Sequence, residues 1–142
     1  MKTIKEILEG KGSHFFTIAP EASVIDALKL MAEKGVGALV VTEGGKLVGI
    51  ISERDYARKV VLMGRASRDT RVKEIMTRRV ICIQPHQSVD ECMALMTEKR
   101  VRHLPVLSDG EIIGIVSVGD LVKSIIADQQ FVIDQLVSYI NG

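Results

Sequence analysis

The chain has 142 residues, enough for one domain or two very small ones. At 46% hydrophobic and 26% charged it does not have the composition of a disordered chain. Nineteen Lys and Arg against eighteen Asp and Glu leave a net charge of +1, which argues against a general nucleic-acid binder, and the lack of Trp removes the stacking surfaces of a single-strand binder. No apolar run reaches the length of a membrane span, and the start Met1-Lys2-Thr3-Ile4-Lys5-Glu6 lacks a signal-peptide core, so a cytoplasmic protein is expected. Cys82 and Cys92 stand ten apart, and His14, His86 and His103 are scattered. Neither set has metal-ligand spacing, and no metal or disulfide is expected.

In chain order, a short helical lead-in at Ile4-Lys5-Glu6-Ile7 is followed by Gly10-Lys11-Gly12-Ser13 and an extended segment through Thr17-Ile18. Ser23, with Asp26 three residues on, reads as a helix N-cap, and Val24, Ala27, Leu28 and Met31 recur at helical spacing. Leu39-Val40-Val41 reads as a buried strand, Glu43-Gly44-Gly45-Lys46 as a hairpin turn and Leu47 to Ile51 as the return strand. A second helix is expected from about Ser52 to Met63.

The same string then repeats. Offset by 65 residues, 18–58 aligns on 83–123 without a gap, with 16 of 41 positions identical. Ser88 with Glu91 is again an N-cap, Val89, Cys92, Met93 and Met96 again a helical face. Leu104-Pro105-Val106-Leu107 is the strand, Ser108-Asp109-Gly110-Glu111 the turn and Ile112 to Val116 the return, with a second helix from about Ser117 to Ala127. The lead-in recurs as Val72-Lys73-Glu74-Ile75 at an offset of 68, so the first copy holds three extra residues near 10–13. The prediction is a mixed α/β (α+β) chain of two β-α-β-β-α copies packed with pseudo-twofold symmetry: 3–66, 71–128, and a helical tail at 129–142. A unit of about 60 residues is marginal alone, which favours one globule over two beads. The tail carries an apolar stripe of Phe131, Val132, Ile133, Leu136, Val137 and Ile140. It is suited to finishing the core, covering a second copy or docking on a client.

Chemistry concentrates at Ser52-Glu53-Arg54-Asp55 and Ser117-Val118-Gly119-Asp120. Each follows a buried strand and opens a helix, where free backbone N–H groups and the helix dipole favour a phosphate. A carboxylate repels a phosphate but accepts both O–H groups of a ribose 2′,3′-diol. Ser-x-x-Asp is also an ordinary helix cap, and Ser23 and Ser88 serve only as caps. Its duplication after two Gly-apolar-apolar strands favours a nucleotide. The basic run Arg65, Arg68, Arg71, Lys73, Arg78 and Arg79, interleaved with Asp69 and Glu74, reads as a solvated face. Gly10-Lys11-Gly12 is a weak candidate for a phosphate-touching loop. No activated nucleophile or catalytic constellation is legible.

The segments Val36-Gly37-Ala38-Leu39-Val40-Val41 and Val101-Arg102-His103-Leu104-Pro105-Val106, continuing with Leu47 to Asp55 and Ile112 to Asp120, resemble a tandem pair of CBS domains, a Bateman module, of the stand-alone bacterial type. The resemblance covers about residues 3 to 128. It implies a non-enzymatic regulatory module that binds an adenosyl ligand (AMP, ADP, ATP, NAD or S-adenosylmethionine), dimerises through its helices and senses energy or redox state for a client protein. Of these, AMP, ATP or NAD is the expected ligand. It implies a nucleotide site of Gly37, Ala38, Ser117 and Asp120 and another of Arg102, His103, Ser52, Arg54 and Asp55. Pro105 lies on the second strand, and Thr17-Ile18 and Cys82-Ile83 offer backbone edges to adenine. On this pairing the Asp120 site is neutral and accepts AMP and adenosine-like ligands equally, while the Asp55 site prefers two or more phosphates. The alternatives are a ligand-independent dimeric scaffold and, less favoured, an unrecognised enzyme.

Overall fold

The computed structural model describes residues 2–12 and 14–141; Ser13 of the expected insertion and Gly142 of the expected tail lie outside them. The chain divides into two compact units. The middle unit is His14–Ile81, and the split unit joins the N-terminal segment to everything from Cys82 onward.

This division differs from the sequence repeat because the lead-in helices are exchanged. Helix α1 (Ile4–Lys11) closes the split unit: Ile4 N–H donates to Gln87 O at 2.9 Å, Lys5 N–H to Pro85 O at 2.9 Å, and Val89 N–H to Lys2 O at 3.1 Å. Helix α4 (Val72–Ile75) makes the equivalent bonds in the middle unit: Val72 N–H to Ala22 O at 2.8 Å, Lys73 N–H to Pro20 O at 2.9 Å, and Val24 N–H to Thr70 O at 2.8 Å. Each lead-in therefore serves the unit built from the other copy.

In the middle unit, β1 (Thr17–Ile18) runs parallel to β2 (Ala38–Glu43), which pairs antiparallel with β3 (Lys46–Ser52). Gly44 and Gly45, at φ +59° and +77°, form the tight turn, a conformation that twists with the strands and suits glycine. Helix α2 (Val24–Lys34) is capped by Ser23, whose Oγ accepts from Asp26 N–H at 3.2 Å. Its buried face of Val24, Ala27 and Met31 shares a core with Leu39, Val41 and Ile51 of the sheet and Val72 and Ile75 of α4. Each of these side chains larger than Ala27 contributes about 1.5–3 kcal/mol on burial. Met31 and Met76 fill space in this core. After β3, helix α3 (Glu53–Tyr56) widens into a π-helical segment at Ala57–Val61.

The split unit repeats the plan with α5 (Val89–Lys99), β4 (His103–Ser108) and β5 (Glu111–Ser117), joined through Asp109 and Gly110 at φ 52° and 80°. Its first strand is reduced to one parallel bridge between Ile83 and Val106. The second helix does not stop near Ala127. It runs unbroken as α6 (Val118–Asn141), so the expected tail is its continuation. Gly10 and Lys11 likewise belong to the last turn of α1, not to a loop.

Candidate functional site

Each return strand hands the chain directly to a helix, and the two junctions have the same local architecture. In the middle unit Ser52 caps α3: its Oγ accepts from Asp55 N–H at 3.3 Å, while Asp55 Oδ2 accepts from Ser52 N–H at 3.0 Å and Ser52 Oγ–H at 3.1 Å. In the split unit Asp120 N–H donates to Ser117 Oγ at 3.1 Å, and Ser117 N–H to Asp120 Oδ2 at 2.8 Å. Both Ser-x-x-Asp motifs are therefore reciprocal caps in this structure.

The strand starts lie alongside. Ala38 pairs with Ser52 and His103 with Ser117. Glu53 N–H donates to Gly37 O at 3.1 Å, and Val118 N–H to Arg102 O at 2.9 Å. The register of each unit thus joins strand and helix start of the same copy. It also reduces the expected set of free amides. The first helical N–H goes to a carbonyl and the third to the serine, leaving the second, of Arg54 or Gly119, open among the described residues. The adenine-edge candidates are equivalent too: Val40 N–H donates to Phe16 O at 3.1 Å beside Thr17-Ile18, and Ile83 exchanges bonds with Pro105 O at 3.0 Å and Leu107 N–H at 2.8 Å. Cys82 directly precedes that bridge and is partly buried.

A lysine completes each junction: Lys59, which no motif marks, and Lys11, which the sequence offers only within the Gly10-Lys11-Gly12 candidate. Lys59 Nζ lies 3.1 Å from Asp55 Oδ1 and donates to Ile75 O at 2.8 Å; Thr77 Oγ1 also donates to Asp55 Oδ1 at 3.4 Å. Lys11 Nζ donates to Asp120 Oδ2 at 2.7 Å and to Ile115 O at 2.9 Å. Burial alone would push the Asp120 carboxyl up, but the Lys11 ammonium and the Ser117 N–H outweigh it and hold the group below the ordinary carboxylate value. At the Asp120 position the carboxylate and the Lys11 ammonium thus compensate one another's charge. Lys59 sits at i+4 from Asp55, a spacing that could have flagged it. Lys11 is 109 positions from Asp120, and no local signal links them.

Arg102 is exposed and His103 partly buried, with Arg102 in the turn before β4; Arg54 is partly buried in the first turn of α3. The basic run of the middle unit is tied into ion pairs: Lys73 with Glu21 at 2.8 Å, Arg71 with Glu21 at 3.9 Å and Arg65 with Glu74 at 3.9 Å. That accords with a solvated face. Burial pushes the thiol of Cys82 up, and burial with the neighbouring Glu91 carboxylate pushes that of Cys92 to about 11, the opposite of thiolate activation. Among the described residues no cluster of three metal-ligating side chains occurs, and no helix is long and apolar enough to cross a membrane.

The CBS-domain profile matches residues 4–62 and 72–127. The chain is 39% identical, over 99% of its length and 72% of the relative's, to CBSX3, a mitochondrial CBS domain-containing protein of Arabidopsis thaliana. Its fold superposes with a TM-score of 0.87 on a CBS-domain protein of Burkholderia ambifaria MC40-6 described as acting in signal transduction, with 57% identity over 90% of this chain and 96% of that one. It superposes with a TM-score of 0.80 on the CBS-domain pair of protein MJ0100, solved with 5′-methylthioadenosine and S-adenosylmethionine, at 27% identity over 90% of this chain and 98% of that one.

Proposed function

We propose that this chain, which belongs to the CBS-domain family as a tandem pair, is a regulatory module whose two Ser-x-x-Asp helix starts bind an adenine nucleotide, AMP, ATP or NAD, and report it by a change of conformation. The observation that carries this reading is the duplicated junction itself. Twice, one helix start gathers a serine, an open second amide, a carboxylate and a lysine. The relative bound to 5′-methylthioadenosine and S-adenosylmethionine supports a ligand with an adenosine body.

The division of labour follows from charge. Asp55 and Asp120 accept the ribose diol, whose two O–H groups replace the cap donors. The open amides of Arg54 and Gly119, aided by the helix dipole, face the first phosphate. Lys11 and Lys59, each held by a carboxylate and a carbonyl in this structure, turn to the phosphate when the diol takes the carboxylate. Backbone at Thr17-Ile18 and Cys82-Ile83 reads the adenine edge, and Gly37-Ala38, Arg102-His103 and Pro105 form the strand walls. A ligand that binds one conformation better than another shifts the population toward it, and a cytoplasmic client protein reads that shift. Two chains form the working homodimer.

A second reading, a ligand-independent scaffold, is favoured by one observation: the carboxylate of Asp55 is already engaged by Ser52, Thr77 and Lys59. Thermal melting with AMP, ATP, NAD and S-adenosylmethionine separates the two. A ligand at one hundred times its dissociation constant stabilises the folded state by about 2.7 kcal/mol, so at least one compound raises the melting temperature. No shift with any of the four supports the scaffold, and turnover of one supports an enzyme.

A further inference from the structure

The two units differ where their lead-in helices begin. In the middle unit the Glu21 carboxylate is taken by Lys73 Nζ at 2.8 Å and approached by Arg71 Nε at 3.9 Å. The hydrogen bond from Lys73 holds that carboxyl below the ordinary carboxylate value. The repeat puts Lys5 where Lys73 stands and His86 where Glu21 stands. The backbone frame is the same, since Lys5 N–H donates to Pro85 O as Lys73 N–H does to Pro20 O, both at 2.9 Å. The split unit has thus kept the lysine and lost its carboxylate. A cavity of about 670 Å³ opens there, lined by the start of α1, the turn at Pro85-His86 and the hairpin turn at Asp109-Gly110. Lys5, His86, Ser108 and Asp109 face it, and none of their side chains has a hydrogen bond or ion pair among the described residues. We infer that this cavity is a second ligand site, and that it takes a free α-amino acid whose carboxylate occupies the place of the Glu21 carboxylate in the other unit.

Three features select that class. The Lys5 ammonium and a ring N–H of His86 are donors for a carboxylate, and they hold none of their own. Asp109, fixed at φ 52° in the hairpin turn, adds a carboxylate where the middle unit has Gly44. It accepts from an ammonium and repels a plain anion, so the lining matches a zwitterion. Pro85 and Leu107, both exposing part of their apolar surface to the cavity, give it an apolar wall. The volume lies in the range of small-molecule pockets and exceeds what the charged groups alone would fill, which favours an amino acid with an apolar side chain. This site is separate from the helix starts. It sits at the turn end of β5, and the seven residues of that strand put Ser117 about 20 Å away.

Amide NMR of the full chain titrated with L-leucine tests this, beside 4-methylpentanoate, which lacks the ammonium, L-leucinamide, which lacks the carboxylate, and inorganic phosphate. L-Leucine at millimolar concentration is expected to shift the amides of Lys5, His86 and Asp109 saturably. Each analogue is expected to bind about tenfold more weakly, the factor of one lost charge-assisted hydrogen bond. His86→Glu rebuilds the middle unit's ion pair with Lys5, and Lys5→Met removes the cation. Both variants are expected to abolish the shifts and to keep a folded spectrum, since both side chains are exposed. No saturable shift at these amides with L-leucine overturns the inference, as does binding that survives either substitution. An analogue or phosphate that binds as tightly as L-leucine overturns the assignment of an amino acid.

Discussion

The helix starts at Ser52–Asp55 and Ser117–Asp120 share one motif and one cap, yet their carboxylates are held by different means. In the middle unit the chain leaves α4 extended at Met76, and Thr77 exchanges two backbone bonds with Ile50, at 2.9 and 3.0 Å. Its side chain then reaches Asp55, and Lys59, one turn along the same helical run, supplies the cation. In the split unit α1 has eight residues where α4 has four. The backbone therefore does not come alongside β5 in the same way; the Lys11 ammonium takes the carbonyl of Ile115, the counterpart of Ile50, and with it Asp120. The position equivalent to Lys59 is Ser124, whose buried Oγ has no partner among the described residues. A short insertion far away in sequence has changed the source of the charge at a site while the motif stayed the same.

Substitutions that strain the lead-in contacts give the largest contrast. A Cβ on Gly49 would stand 2.6 Å from Met76 Sδ and 3.1 Å from the Thr77 carbonyl, whereas one on Gly114 would meet only the Leu8 side chain, at 2.8 Å. A side-chain tip yields more easily than a backbone carbonyl. Gly49→Ala is expected to destabilise by about 2 kcal/mol and Gly114→Ala by about 1 kcal/mol, read from denaturant midpoints. Equal losses would mean that the two lead-ins are held alike.

The aspartates come next. Asp55 satisfies donors from Ser52, Thr77 and Lys59, and Asp120 those from Ser117 and Lys11. Asp55→Ala is expected to cost about 2 kcal/mol and Asp120→Ala about 1 kcal/mol in urea unfolding without ligand. The reverse order would show that Lys11 matters more to the fold than the Thr77 and Lys59 contacts combined.

Lys11 sharpens the comparison on the ligand side. With a lysine at its edge, the Asp120 position should favour a phosphate over a bare nucleoside, in place of the indifference expected from sequence. Lys11→Met is expected to weaken AMP about fivefold, near 1 kcal/mol, and to leave adenosine unchanged. Equal effects on both in a binding titration would leave Lys11 with its carboxylate and away from the phosphate.

The smallest effect is on pH. The folded Asp120 carboxyl lies below its unfolded value of about 3.9, so its stabilising contribution is complete above that pH and is lost as pH falls through the folded value. Lys11→Met is expected to be less stable than the parent at pH 7 by at most about 1 kcal/mol, and the gap is expected to narrow as the pH falls below the ordinary carboxylate value. A gap that persists in acid would assign the stabilisation to packing of the lysine stem.

Much of this architecture was legible because it rests on local rules. Ser23 and Ser88 cap their helices, Gly44-Gly45 and Asp109-Gly110 turn their hairpins, and the repeat places both junctions, all from side chains within a few residues of one another. The profile and the superpositions agree with the resemblance carried by those same segments. What the sequence concealed depends on distant partners. The exchange of α1 and α4 leaves each copy's internal pattern unchanged, so the repeat looks the same with or without it. The Lys11–Asp120 bond joins the two ends of the chain. The loss of free amides at Glu53 and Val118 arises because strand starts fold back onto helix starts. The continuity of α6 was hidden because the repeat ends near Ala127 while the helix does not.

The central claim is that Asp55 and Asp120 are ligand residues as well as caps. Calorimetric titration of AMP into Asp55→Ala and Asp120→Ala, each with a cooperative melting transition, tests it most directly. The account predicts that each variant loses binding at one site by about tenfold or more, since a ribose diol forfeits up to two charge-assisted hydrogen bonds, and that the other site is retained. If both variants bind AMP as the parent does and differ from it only in melting at lower temperature, the aspartates are caps alone and the site claim fails.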